Sequence, residues 1–190
     1  MGKEILTVHF GSFGDGVGRK MWQNLSIEHG ISMEGILDKE NIISNNNGKD
    51  LGTYFIEGKK GKYIPRAMFV DSDSSTIDEI QSFEFKNLFS EKSLINGNCE
   101  SVICPQICKT NTEFCKTVEE GIRKATEKSD SLQGINIMSS IYSGLGSGMI
   151  NYLVPSLVKE EKSVFGVNLF PSLNRNNPFA VYNSILGFSK

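Results

Sequence analysis

The sequence predicts an α/β protein built on a parallel sheet, and three observations carry that expectation. Strand-like apolar runs alternate with helical patterns along the chain, the order that repeated βαβ units give. Two of the runs lead straight into glycine-rich stretches with a helical pattern beyond: residues 5–10 (ILTVHF) into 11–18 (GSFGDGVG), and residues 134–142 (GINIMSSIY) into 143–148 (SGLGSG). The chain has 190 residues, 38% of them hydrophobic, which is enough for one domain over residues 1–190 with a core of its own.

The paired glycine stretches are where function is expected. Three glycines at alternate positions, Gly144, Gly146 and Gly148, let a backbone approach a ligand that a Cβ would hold off. The free N–H groups and positive dipole end of a following helix favour a phosphate there. Two such units in one parallel sheet place both helix starts at its carboxyl edge, where ligands of open α/β sheets bind. Glycine serves tight packing of helix on strand equally well, so both uses stay open on the residues alone.

In chain order, residues 5–10 form a buried strand, 11–18 a glycine loop, and 19–28 a helix carrying Met21, Trp22, Leu25 and Ile27, stopped at His29-Gly30. Residues 41–50 (NIISNNNGKD) read as an exposed loop and 58–62 (GKKGK) as a solvated hairpin turn. Residues 63–70 (YIPRAMFV) form a strand in which Pro65 marks an edge or a start, and it ends at Asp71-Ser72-Asp73. Carboxylates at that place can hold Mg²⁺ directly or through water. Alternatively Asp73, or a serine after it, caps the next helix, and capping is favoured on the residues alone. The aromatics of 83–89 pack on the sheet, 94–105 is irregular, 112–128 is an amphipathic helix and 132–142 a strand. A helix over 149–158, a polar turn over 159–162, a strand over 164–170, a loop over 171–178 and the beginning of a helix over 182–188 complete the chain.

Composition excludes several function classes. The net charge of −2 and pI of about 5.8 leave no basic footprint for nucleic acid or an acidic membrane surface. No apolar run approaches the roughly 18 residues a membrane span needs. Lys3 and Glu4 run into a strand pattern where a signal peptide would be apolar, and Leu6 stands where a myristoylation motif has Ser or Thr. The expectation is a cytoplasmic protein with no nucleic-acid or membrane partner. All four cysteines, Cys99, Cys104, Cys108 and Cys115, fall in one segment, far in sequence from His9 and His29. A zinc site would use CxxC pairs or a nearby histidine, so buried reduced thiols are the better account.

These residues together resemble the N-terminal, nucleotide-binding part of the tubulin family, in one order and over essentially the whole chain. The matching stretches are VHFGSFGDGVG (8–18), EHGI (28–31), PRAMFVD (65–71), TIDEI (76–80), SDSLQG (129–134), SGLGSG (143–148) and YNSIL (182–186). VHFG, FVD with TIDE, LING (94–97) and YNSIL are closer to α-tubulin than to β-tubulin. The resemblance implies a Rossmann-like fold of the tubulin/FtsZ type, a mostly parallel sheet with helices on both faces, incomplete at its C-terminus. It implies GTP or GDP with Mg²⁺ as ligands, other tubulin subunits as partners in a heterodimer or polymer, and a place in the microtubule cytoskeleton. The residues it assigns to GTP are Gly11, Ser12 and Phe13 of the first loop, Asp71 after the third strand, and Glu100. Ser140 with Gly144, Leu145, Gly146, Ser147 and Gly148 form its signature loop, Asn177 lies toward the ribose, and Asp73 is assigned to Mg²⁺. Asp38-Lys39 falls near the loop whose lysine is acetylated in α-tubulin, although an ordinary exposed lysine is favoured there.

Departures from the family fall on these same positions. The family's Gln in the first loop is Ser12, a small residue beside it is Phe13, and the Mg²⁺-linked Glu is Asp73. The signature Thr is Leu145, Ile103 and Cys104 replace paired asparagines, and Ala180 replaces a Glu. One lost charge-assisted hydrogen bond is worth about 1.5–3 kcal/mol, so several together lower affinity by orders of magnitude. The sequence has no GxxxxGK[ST] loop and no placed general base, so efficient GTP hydrolysis by this chain alone is not expected. Two functions stand side by side: a structural subunit holding GTP at a subunit interface, and a degenerate tubulin-like interaction module that no longer binds nucleotide.

Overall fold

The computed structural model describes residues 3–38, 51–97, 112–172 and 177–188. Strand β1 (Glu4–Phe10) runs directly into helix α1 (Gly11–Glu28). A short helix α2 (Leu51–Tyr54) leads to an antiparallel hairpin of β2 (Phe55–Glu57) and β3 (Tyr63–Pro65), closed by a 3-10 turn at Lys59–Gly61. Then come β4 (Ala67–Asp71), α3 (Ser74–Ser82), β5 (Leu94–Asn96) and α4 (Thr112–Glu127). Strand β6 (Leu132–Ser140), α5 (Gly144–Lys159), β7 (Val164–Leu169) and α6 (Pro178–Gly187) complete the described chain.

Five strands form one parallel sheet in the order β5-β4-β1-β6-β7. Counted along the chain, these are its third, second, first, fourth and fifth strands, so the winding direction reverses between β1 and β6. Period-two alternation decides which helices each side chain meets. Leu6, Val8 and Phe10 of β1 join Met68, Val70, Ile135 and Ile137 in one apolar cluster with Val118 and Ile122 of α4 and Met149 and Leu153 of α5. On the opposite face, Ala67 and Phe69 of β4 cluster with Trp22 of α1 and with Ile77 and Ile80 of α3. Burial of each such side chain is worth about 1.5–3 kcal/mol, so both faces of the sheet are covered because both are apolar. The register pairs Phe10 with Val70, His9 with Met138 and Ser140 with Leu169, which brings the carboxyl ends of β4, β1, β6 and β7 to one edge.

Several local expectations are corrected. Neither glycine stretch is a loop, since α1 begins at Gly11 rather than at residue 19 and α5 at Gly144 rather than at residue 149. Glycine disfavours helix by about 1 kcal/mol per residue, and packing overrides it here. A Cβ on Gly14 would lie 2.6 Å from the Met138 carbonyl oxygen, and one on Gly18 would lie 2.6 Å from His9 Nδ1. Only without those side chains does α1 seat this closely on the sheet. The strand expected over 63–70 is broken at Arg66, where the chain leaves the hairpin for the central sheet. Arg66 N donates to the Tyr54 carbonyl (2.7 Å), its own carbonyl accepts from Thr7 N (2.9 Å), and its guanidinium pairs with Glu4 (2.5 Å) and Ser129 Oγ (3.0 Å).

The region expected to be irregular over 94–105 opens with β5, and α6 starts at Pro178, four residues before the helix expected from 182. The 58–62 turn closes a hairpin, as its composition predicts. Cys115 is buried, its Sγ 4.0 Å from Met149 Sδ, as expected of a small hydrophobe. Lys39, the 41–50 loop, and Cys99, Cys104 and Cys108 lie outside the described residues.

Candidate functional site

Helices α1, α3 and α5 begin where β1, β4 and β6 end, so their N-termini gather at the carboxyl edge of the sheet. Gly11 has φ +70°, a left-handed conformation that lets α1 start one residue after β1 ends. Among the described residues no side chain caps the first N–H groups of α1, and the first turns of α1 and α5 contain no acidic residue. Ser12 is exposed and Phe13 half-buried on that first turn. Across the strand-order reversal, Gly11 meets Leu145: a Cβ on Gly11 would lie 3.7 Å from Leu145 Cδ2. The two glycine-bearing helix starts therefore adjoin.

The turn from β6 into α5 is built around Ser143. Its hydroxyl donates to the Ser140 carbonyl (2.9 Å) and accepts from Gly146 N (2.9 Å). A Cβ on Gly146 would lie 2.3 Å from the Ser140 carbonyl oxygen, so this turn requires glycine there. Gly144, Leu145, Gly146, Ser147 and Gly148 are all buried. Leu145 belongs to the apolar cluster of Phe10 and Met149, and can offer a ligand its backbone N–H only. The Ser147 hydroxyl donates to the Ser143 carbonyl (2.6 Å) within the helix. Ser140 differs, because its Oγ is buried and has no hydrogen-bond partner among the described residues.

At the end of β4, Asp71 is buried. Its Oδ1 accepts from Asp73 N (3.2 Å) and Ser72 Oγ (3.5 Å), while its Oδ2 has no partner among the described residues. Asp73 is exposed and caps α3, its Oδ1 accepting from Ser75 N at 2.9 Å. That backbone bond, helped by the Ser75 side chain, holds its carboxyl below the ordinary range. Asn177 is exposed and uses its side-chain oxygen to accept from Phe179 N (3.0 Å) at the start of α6, in which Ala180 is buried. Glu100, Ile103 and Cys104 lie outside the described residues.

Sequence reasoning does not single out Asp15, yet the structure makes it the most unusual group at this edge. It is fully buried on α1, and among the described residues neither carboxylate oxygen has a hydrogen-bond partner. Burial holds its carboxyl well above the ordinary range, the Asp71 charge adds to that rise and the Arg19 charge opposes it. The signal that could have found it is spacing: Gly11, Asp15, Gly18, Trp22 and Ser26 share one helical face, the buried one. His9 is likewise enclosed. It accepts from Trp22 Nε1 (3.0 Å) and stacks on Phe69, and burial draws its pKa down to about 3 against a weaker upward pull from the Gly14 backbone.

Among the described residues no three His, Cys, Asp or Glu side chains gather as a metal cluster. A hard cation such as Mg²⁺ needs only one or two carboxylates, completing its shell with water and ligand oxygens. The start of α1, which has no side-chain cap among the described residues, the orphan Ser140 hydroxyl and the orphan carboxylate oxygens near the strand-order reversal fit a phosphate-bearing ligand with such a cation.

Comparison with known proteins agrees with that geometry. A family model described as the Tubulin/FtsZ family, GTPase domain, matches residues 4–190. The tubulin alpha chain of Dictyostelium discoideum is 33% identical over 98% of this chain and 43% of its own. The tubulin alpha-3 chain of Saccharomyces cerevisiae is 33% identical, covering 97% of this chain and 42% of its own. The tubulin alpha-8 chain of Caenorhabditis elegans is 32% identical with the same coverage, 97% and 42%. The chain thus spans about two fifths of the length of these curated relatives. Among the described residues no helix is long and apolar enough to cross a membrane.

Proposed function

The chain belongs to the tubulin/FtsZ family, and from that membership we propose that residues 1–190 form one guanine-nucleotide-binding domain of a tubulin-type structural protein. The observation that supports this most is the meeting of Gly11 and Leu145, which sets two glycine-bearing helix starts side by side at the strand-order reversal. In this reading the backbone N–H groups of Gly11, Ser12 and Phe13, and those of Gly144 through Gly148, receive the phosphates of GTP or GDP. The N-terminal dipoles of α1 and α5 favour that negative charge. The Ser140 hydroxyl supplies a side-chain donor, Asp71 lies toward the nucleotide, Asp73 holds Mg²⁺ through water, Asn177 lies toward the ribose, and Glu100 is assigned on the resemblance alone. Bound Mg²⁺ would neutralise phosphate charge. We assign no catalytic residue. The nucleotide is held at an interface with another tubulin subunit, in a heterodimer or polymer of the cytoplasmic microtubule cytoskeleton.

Thermal unfolding with added nucleotide tests the site. A ligand that binds only the native state at a hundred times its Kd adds about 2.7 kcal/mol, so GDP or GTP with Mg²⁺ is expected to raise Tm in a dose-dependent way. No shift at millimolar nucleotide would overturn the proposal. Co-sedimentation with microtubules, using protein purified from its own cells, tests the partner.

A second reading has its own observation. Leu145 and Ser147 turn their side chains inward, so neither gives a phosphate a side-chain contact. That arrangement favours an interaction module without nucleotide. Association with a tubulin partner in the absence of any nucleotide-dependent shift would select it.

A further inference from the structure

We infer that the cavity between the β2–β3 hairpin, the turn at Glu91–Ser93 and α4 binds a small amphiphilic anion, an apolar chain that ends in a carboxylate. It lies toward the amino end of the sheet, where β4 begins and α4 ends, away from Gly11 and Ser140 at the carboxyl edge. It is therefore independent of the nucleotide reading.

The cavity holds about 470 Å³, within the range of small-molecule sites. Leu6, Met68 and Ala125 line it from the core side. Ile56 and Ile64, paired across the hairpin, line it from the other, and both are half-buried members of neither apolar cluster. Alternation along the strand is the reason: Phe55 turns into the cluster of Trp22, so Ile56 turns the opposite way. Apolar walls left part-covered around a cavity favour an apolar occupant.

Charge selects its other end. The chain carries a net charge of −2, yet among the described residues the lining has five cationic side chains, Lys59, Arg66, Lys92, Lys124 and Lys128, and one carboxylate, Glu57. Arg66 is committed to Glu4, Ser129 Oγ and the Gly52 carbonyl. Lys124 pairs with Glu120 at 3.3 Å, but both side chains are exposed, and such a pair is worth little in water. Lys59, Lys92 and Lys128 have no carboxylate partner among the described residues. Like charges around a low-dielectric cleft focus a positive potential into it. A bare inorganic anion would leave Ile56 and Ile64 uncovered, and a neutral lipid would leave three ammonium groups unanswered. An apolar carboxylate satisfies both.

The test is isothermal titration of the full chain with dodecanoate, kept below its micelle-forming concentration. Wild type is expected to bind one equivalent, more weakly as salt rises. Dodecanol, the same chain without the charge, should bind about tenfold more weakly or worse, and Lys124→Gln combined with Lys128→Gln should weaken dodecanoate to a similar degree. Both lysines are exposed, so that variant is expected to fold. Ala125→Phe places a ring in the cavity and should abolish binding, with thermal unfolding as the check on its fold. Val167→Lys combined with Tyr182→Lys alters the exposed apolar face of β7 and α6 and should leave binding unchanged. No binding by wild type overturns the inference, as does equal affinity for dodecanoate and dodecanol or undiminished affinity in the double glutamine variant. Binding retained by folded Ala125→Phe, or lost in the Val167→Lys, Tyr182→Lys variant, moves the ligand elsewhere and overturns it too. Should Ala125→Phe fail to fold, the glutamine variant and the dodecanol comparison decide.

Discussion

His9 is enclosed on the α1 side of β1, and its surroundings dictate that it stay neutral. Trp22 Nε1–H donates to its Nε2, and burial draws its pKa to about 3. The native ring remains unprotonated while the unfolded chain takes up a proton below about pH 6.5. Its contribution to stability is therefore complete above that value and is lost as pH falls toward 3, by up to about 1.4 kcal/mol per pH unit. Asp15 acts with the opposite sign. The native state keeps its proton above the ordinary carboxylate range, so its contribution declines as pH rises through that window. Because the two oppose each other, the informative quantity is the difference between wild type and His9→Phe in urea unfolding. The variant loses an acceptor for Trp22, worth about 1 kcal/mol, at every pH. Below about pH 6.5 it should gain on wild type as pH falls, and a constant difference would refute a neutral buried His9. Leu145 poses the complementary case, a site position serving the core. Leu145→Thr should lower stability by about 2 kcal/mol or more, read in the same unfolding experiment.

The seating of α1 on the sheet depends on side chains that are missing. At Gly14 a Cβ would press on the Met138 carbonyl, which is backbone and cannot swing aside. Overpacking of that kind costs about 1–3 kcal/mol, more than the roughly 1 kcal/mol that alanine gains in a helix. Gly16, in the same helix, has no atom within 4 Å of such a Cβ. Gly14→Ala is thus expected to destabilise and Gly16→Ala to stabilise by about 1 kcal/mol. Equal effects in urea unfolding would mean that α1 does not sit this close. The same contrast explains what was legible. Strands β1, β6 and β7 and helix α4 follow from period-two and helical spacing in their own residues. Residues 11–18 and 144–148 read as loops because glycine is a poor helix former, and the contacts that overrule it come from Met138, His9 and Ser140, distant in sequence or across a turn. The break at Arg66 is equally nonlocal, set by Glu4, Thr7 and Ser129. Gly11, Asp71, Ser140 and Gly144 do end up at one sheet edge, as paired βα units predict. Asp15 escaped because a charged residue between glycines looks solvent-facing until the helix is extended back to Gly11.

At the scale of the molecule, the two sides of the sheet are finished differently. On one side the edge strand β5 is three residues long, a brevity that limits pairing with another chain. On the other, β7 (VFGVNL) runs six residues without a lysine or a proline, and among the described residues no strand pairs with its outer edge. Phe165 (61% exposed), Val167 and Leu169 of β7 are open to solvent, as are Phe179, Val181, Tyr182 (64% exposed) and Ile185 of α6. Phe170 stacks on Phe188 with ring centroids 5.7 Å apart, joining the end of the strand to the end of the helix. Contiguous apolar surface of this kind marks an interface or an association site. The isolated chain is accordingly expected to associate as its concentration rises in sedimentation velocity, and Val167→Lys combined with Tyr182→Lys should suppress it. Both positions are exposed, so the pair should change unfolding free energy by no more than about 0.5 kcal/mol per site. Strand β6 stands between β7 and β1, so the face lies away from Gly11, and the double variant should keep any nucleotide-dependent rise in Tm. Association that persists unchanged in the variant would move the contact elsewhere on the surface. A lost thermal response would instead tie this face to the nucleotide site, through α6 and its hydrogen bond from Asn183 Nδ2 to the Tyr142 carbonyl.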